Sequence, residues 1–219
     1  MTVDFFSTLG IDSESFFEDI WQKKHAAFQG VPADLPNIIE LNHLLTNVRI
    51  SSNKVRLVRA DKEASNRDFT RQDGFINLVN VTSLLSEGYS LVISGIHNFS
   101  RKINDHCRTL SVGLGASVQA NLYFSPKRSQ GFKAHWDKHD VLVYQTEGEK
   151  KWAVYNEPHF EFPTQSTPCD PSVLDLNRAY SDITMQPGTV LYIPRGFTHF
   201  ATTHELPSIH ITFAIEYPK

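Results

Sequence analysis

The sequence predicts a mainly β fold preceded by a helical amino-terminal segment, and two textures along the chain carry that prediction. From residue 118 onward, short β-branched and aromatic runs follow one another closely, punctuated by Gly and Pro, as in a sandwich or barrel. Before about residue 115, apolar residues recur instead at the spacing of amphipathic helices. A chain of 219 residues can bury a core of its own. It reads as a single domain, with a mostly helical lead-in over 1–115 and a barrel core over 116–219.

Ser13 is placed to cap a first helix carrying Phe16, Phe17, Ile20 and Trp21. Pro36 opens a second, with Ile38, Leu41, Leu45 and Val48 as its apolar stripe. A third spans about 99–111 and turns Ile103, Cys107 and Leu110 to a core. Between them, Val55 and Leu57 alternate with charges and predict a strand over 54–59, and 91–94 predicts another. Residues 61–74 are charged without periodicity and read as an exposed loop. In the second half, strands are expected at 118–124, 140–146, 151–155, 183–185, 189–193, 199–203 and 208–215. Residues 156–180 interrupt them as a long loop, because Pro158, Pro163, Pro168 and Pro171 cannot donate to a ladder. Long loops inside compact domains are often functional.

Composition excludes several classes. With 21 Lys+Arg against 24 Asp+Glu, a net charge of −3 argues against a phosphate-backbone binder, so direct nucleic-acid binding is not expected. No apolar run reaches membrane-spanning length, and the first ten residues lack a basic-then-apolar signal. Two cysteines, Cys107 and Cys169, can build neither a disulfide framework nor a four-thiolate zinc site. A cytoplasmic location is the expectation.

The chemistry concentrates in two segments. In Gly131-Phe-Lys-Ala-His135-Trp136-Asp137-Lys-His139-Asp140, strand parity would put His135 and Asp137 on one face and Trp136 on the other. An imidazole beside a carboxylate is two-thirds of a 2-His-1-carboxylate triad, which leaves positions open on iron(II). Alone, a His-x-Asp pair is weak evidence. The second segment, Gly188-Thr-Val-Leu-Tyr-Ile-Pro194-Arg195-Gly196-Phe-Thr-His199, adds weight. Gly188 turns into a strand, Pro194 and Gly196 make a tight corner, and His199 begins the next strand as a third ligand.

Together these segments resemble the JmjC subgroup of the cupin superfamily, the iron(II)- and 2-oxoglutarate-dependent oxygenases, and within it the ribosomal-oxygenase-like protein hydroxylases. The likeness runs over about 91–215. It takes in Ala120-Asn121-Leu-Tyr123-Phe-Ser-Pro126, Ser129-Gln130-Gly131-Phe132, His135-Trp-Asp137, Glu147-Gly148-Glu-Lys150-Lys-Trp152 and Ile193-Pro194-Arg195-Gly196 through His199. Gly148 lies eleven residues after Asp137, as the cupin frame requires, and Val141 stands where a cupin usually has a glutamate ligand. That favours an open three-ligand site.

The resemblance implies a double-stranded β-helix of the jelly-roll type. It implies that His135, Asp137 and His199 bind Fe(II), that 2-oxoglutarate chelates the metal, and that Lys150 pairs with its far carboxylate. Tyr123 and Asn121, which share one strand face by parity, match positions lining the co-substrate pocket. O2 and 2-oxoglutarate would be consumed, an amino-acid side chain of a protein or peptide hydroxylated, and succinate and CO2 released. Alternatives are an N-methyl demethylase, a hydroxylase of free amino acids or small molecules, and a non-catalytic metal-binding cupin. His139 reads as a rim residue and His210 as a satisfied core histidine. Arg195 and the loops 61–74 and 156–180 are candidates for substrate contact. The other six histidines have no partner at useful spacing.

Overall fold

In the computed structural model, described residues are 6, 9–30, 35, 37–164, 166–168 and 173–217. The architecture follows from strands that are buried on one face or on both. β1 (Ala26–Gln29), β2 (Val55–Arg59), β3 (Lys62–Glu63), β4 (Ser90–Ile93), β5 (Ser117–Ser125), β6 (Asp140–Gly148), β9 (Thr189–Ile193) and β11 (Ser208–Glu216) form one eight-stranded sheet, in the order β1-β9-β6-β11-β5-β4-β2-β3. β7 (Lys150–Pro158), β8 (Tyr180–Met185) and β10 (Phe197–Thr202) form a three-stranded sheet in the order β10-β7-β8. Every named pairing is antiparallel.

β11 is buried along almost its whole length because it lies mid-sheet and is covered on both sides. One face of the large sheet, carrying Leu122, Leu142, Tyr144, Tyr192, Ile211 and Phe213, joins the apolar cluster built with the helices. The opposite face meets the small sheet, where Val141, Val143, Leu191 and Ile193 pack on Trp152, Val154, Met185 and Phe197. The remainder of that inter-sheet space is polar, and there the site forms.

The helices α1 (Ser13–Asp19), α2 (Ile38–Asn47), α3 (Asn66–Phe69), α4 (Leu78–Ser86) and α5 (Arg101–Leu114) complete the element order. Asp12, not Ser13, caps α1, its carboxylate accepting the Ser15 amide at 2.8 Å. Asn37 and Glu40 form a capping box on α2, and Pro36 lies outside the described residues. α5 runs three residues beyond the expected end, to a left-handed Gly115. The 61–74 segment is not wholly irregular. It holds β3, paired to β2, and the short α3 with its Ser65/Asp68 capping box. β1 and α4 lie where no element was expected, since four residues give too little pattern for a strand. β1 is fixed by pairing with β9, a contact 160 residues away in the chain at Gln29–Thr189.

The chain crosses from the large sheet to the small one at Gly148, which has φ +68°. A Cβ there would stand 1.8 Å from the Pro207 carbonyl oxygen. Gly148→Ala is therefore expected to destabilise the protein by about 1–3 kcal/mol. Urea unfolding measures this, and an unchanged midpoint would contradict the packing described.

Candidate active site

A cavity of about 410 Å³ occupies the polar part of the inter-sheet space. Parity explains its lining. β11 alternates Ile209, Ile211 and Phe213 toward the helices with His210 and Thr212 toward the cavity, and β5 sends Asn121, Tyr123 and Ser125 the same way.

There His135, Asp137 and His199 bring one ligand atom each within 4.8 Å of one another. The segment carrying His135 and Asp137 is not a strand as expected. It meets β10 through a single bridge, His135 opposite His199, made by reciprocal backbone bonds of 3.1 and 2.8 Å. The Gly196 amide also donates to the Asp137 carbonyl at 2.9 Å. Trp136 points away as expected, buried against Phe160 at 5.0 Å.

The tautomer of both imidazoles follows from their partners. His135 Nδ1 lies 2.8 Å from the Lys133 carbonyl, and His199 Nδ1 lies 3.0 Å from the Phe197 carbonyl. A carbonyl only accepts, so each Nδ1 carries a proton, and in the neutral form of each ring the lone pair is on Nε2. His199 Nε2 stands 3.6 Å from Asp137 Oδ2. Burial, with His135 adding to it, pushes His199 down to about 4, which keeps the imidazole neutral. Burial pushes the Asp137 carboxyl up, but His135, His199 and His139 outweigh it and hold it below its usual range. Two imidazoles and one carboxylate are a donor set suited to a divalent transition metal.

Lys150, 5% exposed, lines the same cavity. Its ammonium donates to Ser125 Oγ at 2.8 Å, and Ser90 Oγ donates to the same oxygen at 2.9 Å. Both lone pairs of Ser125 are thereby used, leaving its own O–H as a donor. No carboxylate among the described residues pairs with Lys150, and burial pushes its pKa down to about 7.

Tyr123 lines the same cavity, stacked flat on His210 at 4.6 Å, and burial raises its hydroxyl to about 12. Asn121 also lines it, but its Oδ1 accepts the Gly95 amide at 3.0 Å. His139 is on the wall, outside the three-residue cluster, and Val141 lies on the floor. His210 is buried as expected but not satisfied. Its Nδ1 has no hydrogen-bond partner among the described residues, and burial, with Lys150 nearby, holds it well below the ordinary imidazole range. Trp152 Nε1 is likewise unpartnered at the cavity. Arg195 is not in the lining. Its guanidinium sits near the rings of Tyr217 and Phe162, at 5.1 and 5.6 Å. Sequence reading missed Ser125, Ser90, Trp152 and His210. The signal was present in the polar parity of β5 and β11, strands otherwise apolar enough to be buried.

The class defined by this fold and cluster agrees with a family match. The model of the JmjC domain matches residues 95–219, more than half of the sequence, and the chain belongs to that family. It is 28% identical over 211 residues to ribosomal oxygenase 1 of Danio rerio, spanning 93% of this chain and 38% of that protein. It is 26% identical over 215 residues to the bifunctional lysine-specific demethylase and histidyl-hydroxylase NO66 of Drosophila mojavensis, spanning 94% of this chain and 24% of that protein. The chain thus spans well under half the length of these relatives. The Escherichia coli ribosomal oxygenase YcfD has the same fold, with a TM-score of 0.66 at 19% identity over 96% of this chain and 53% of YcfD. YcfD in complex with cobalt and 2-oxoglutarate superposes with a TM-score of 0.65 at 19% identity, covering 97% of this chain and 53% of that one.

An uncompensated buried ammonium weakens the fold. Folding lowers the Lys150 pKa from 10.5 to about 7, so the cost is complete below pH 7 and disappears as the pH rises through 10.5. Its ceiling is on the order of 5 kcal/mol. Lys150→Met is expected to raise the melting temperature more at pH 6 than at pH 9. A shift independent of pH would contradict the buried-charge assignment.

Proposed function

We propose that this chain is an Fe(II)- and 2-oxoglutarate-dependent oxygenase that hydroxylates an amino-acid side chain of a protein or peptide. The observation that carries the reading is one cavity lined both by a His/Asp/His cluster and by a buried lysine with no carboxylate partner among the described residues. A dicarboxylate that chelates metal at one end and presents a free carboxylate at the other fits both.

His135 Nε2, Asp137 and His199 Nε2 would hold the iron. Lys150 would pair with the far carboxylate of 2-oxoglutarate, with the Ser125 and Tyr123 hydroxyls as further donors. The orphaned Lys150 charge and the unpartnered Trp152 Nε1 and His210 Nδ1 support such a polar occupant over an apolar one. When bound, iron with 2-oxoglutarate and O2 supplies the oxidation, splitting the co-substrate into succinate and CO2 and inserting one oxygen into a C–H bond. The chain orients these groups and shields them, since Val141, Val143 and Trp152 keep the inter-sheet space otherwise apolar. Asn121 takes a supporting role, holding the Gly95 turn against the strand that bears Tyr123.

A protein substrate is supported by the names of the relatives, and a cytoplasmic location is our reading of the composition. Among the described residues no helix is long and apolar enough to cross a membrane. His135→Ala, Asp137→Ala and His199→Ala are each expected to abolish Fe(II)-dependent succinate formation, and retained turnover in any of them refutes its ligand role. Lys150→Ala is expected to weaken 2-oxoglutarate binding at least about tenfold, because it removes a buried charge-assisted pair. Unchanged affinity would remove Lys150 from the reading. Substrate trapped from cells and treated with active enzyme should gain the mass of one oxygen, whereas formaldehyde release would mark demethylation.

A further inference from the structure

Asp140, the first residue of β6, is fully buried on the sheet face opposite the cavity. It touches none of the cluster side chains, yet it closes one end of the segment that carries Asp137. Its Oδ1 accepts the Arg195 amide at 2.9 Å and the Tyr192 hydroxyl at 3.2 Å. The very next amide in the chain, that of Gly196, donates to the Asp137 carbonyl at 2.9 Å. Two adjacent amides of the Pro194–Gly196 corner thus grip both ends of residues 137–140.

The corner is itself fixed from several sides. The Gly196 carbonyl accepts the His159 amide at 2.7 Å, and a Cβ on Gly196 would stand 2.0 Å from the Phe160 carbonyl oxygen. Tyr192 Oη receives the Gln22 amide at 3.0 Å, and its ring stacks on Trp21 at 5.4 Å. Three residues beyond the corner comes His199, tied back to His135. Any shift of the corner therefore moves the Asp137 carbonyl and the His199 backbone together. Only a side-chain acceptor at position 140, reaching to Oδ1, completes the second grip.

We propose that Asp140 is a positioning residue that sets the spacing of Asp137 and His199 by accepting the Arg195 amide. The proposal rests on the metal reading above. Losing a partner bonded directly to a metal ligand costs about 10–100-fold in affinity, and a support that acts through the backbone is expected at the lower end of that range. Asp140→Asn keeps an acceptor oxygen of the same reach, whereas Asp140→Ala removes it.

The test is titration of the purified chain with Co(II), following d–d absorption, with thermal unfolding measured alongside. Wild type and Asp140→Asn are expected to agree in affinity within about threefold, while Asp140→Ala binds at least about tenfold more weakly with an altered spectrum. Should Asp140→Ala not fold, Asp140→Ser, polar but too short to reach the amide, takes its place with the same expectation. Wild-type affinity and spectrum in the folded Ala or Ser variant overturn the proposal, even if the melting temperature falls. An Asn variant as impaired as Ala also overturns it. A His135→Ala control separates the two layers, since cobalt binding that is absent in wild type or indifferent to His135 refutes the metal reading itself.

Discussion

One lysine, Lys150, buried with no carboxylate partner among the described residues, sets the conditions for the interior of this barrel. Water solvates a lysine well, and a protein interior does not, so burying Lys150 between the two packed sheets is costly. Its burial pushes it down to about 7, and its one hydrogen bond, to Ser125, ties β7 of the small sheet to β5 of the large one. The apolar part of the inter-sheet space and the helix-covered face supply the stability that this polar pocket spends.

The His/Asp/His cluster is ordered mainly by backbone. His135 and His199 face each other through their own peptide groups, and each ring is oriented by a carbonyl two residues earlier in the chain. Local sequence thus fixes the tautomer, and one tight corner fixes the separation. This division suits the metal site proposed above, which would hold three ligands rigidly and leave the rest of a coordination sphere open.

Much of this was legible in the sequence because it rests on local rules. The strand runs of the second half appear close to their expected positions, 189–193 among them, since period-2 patterning and Gly/Pro punctuation are local signals. The spacing of His135, Asp137 and His199 drew those residues together before any coordinates did. What stayed hidden depends on long-range partners. β1 acquires its identity only by pairing with β9, and the segment carrying His135 and Asp137 meets His199 without being a strand, held by a corner almost sixty residues away. His210 looked like core because burial was visible, while the absence of a partner for Nδ1 depends on what surrounds it in space. Arg195 was a candidate for substrate contact, and only the structure shows its guanidinium near the rings of Tyr217 and Phe162.

Proton uptake on co-substrate binding tests the central assignment most directly. With Lys150 at about 7 in the free protein, it is mostly neutral at pH 8, and pairing with a carboxylate restores its charge. Calorimetric titration of the Co(II)-loaded protein with 2-oxoglutarate at pH 8, repeated in buffers of different ionisation enthalpy, reads the proton count. The account expects net proton uptake in wild type and close to none in a Lys150→Met protein that still binds weakly. Tight binding with no proton uptake in wild type would contradict it.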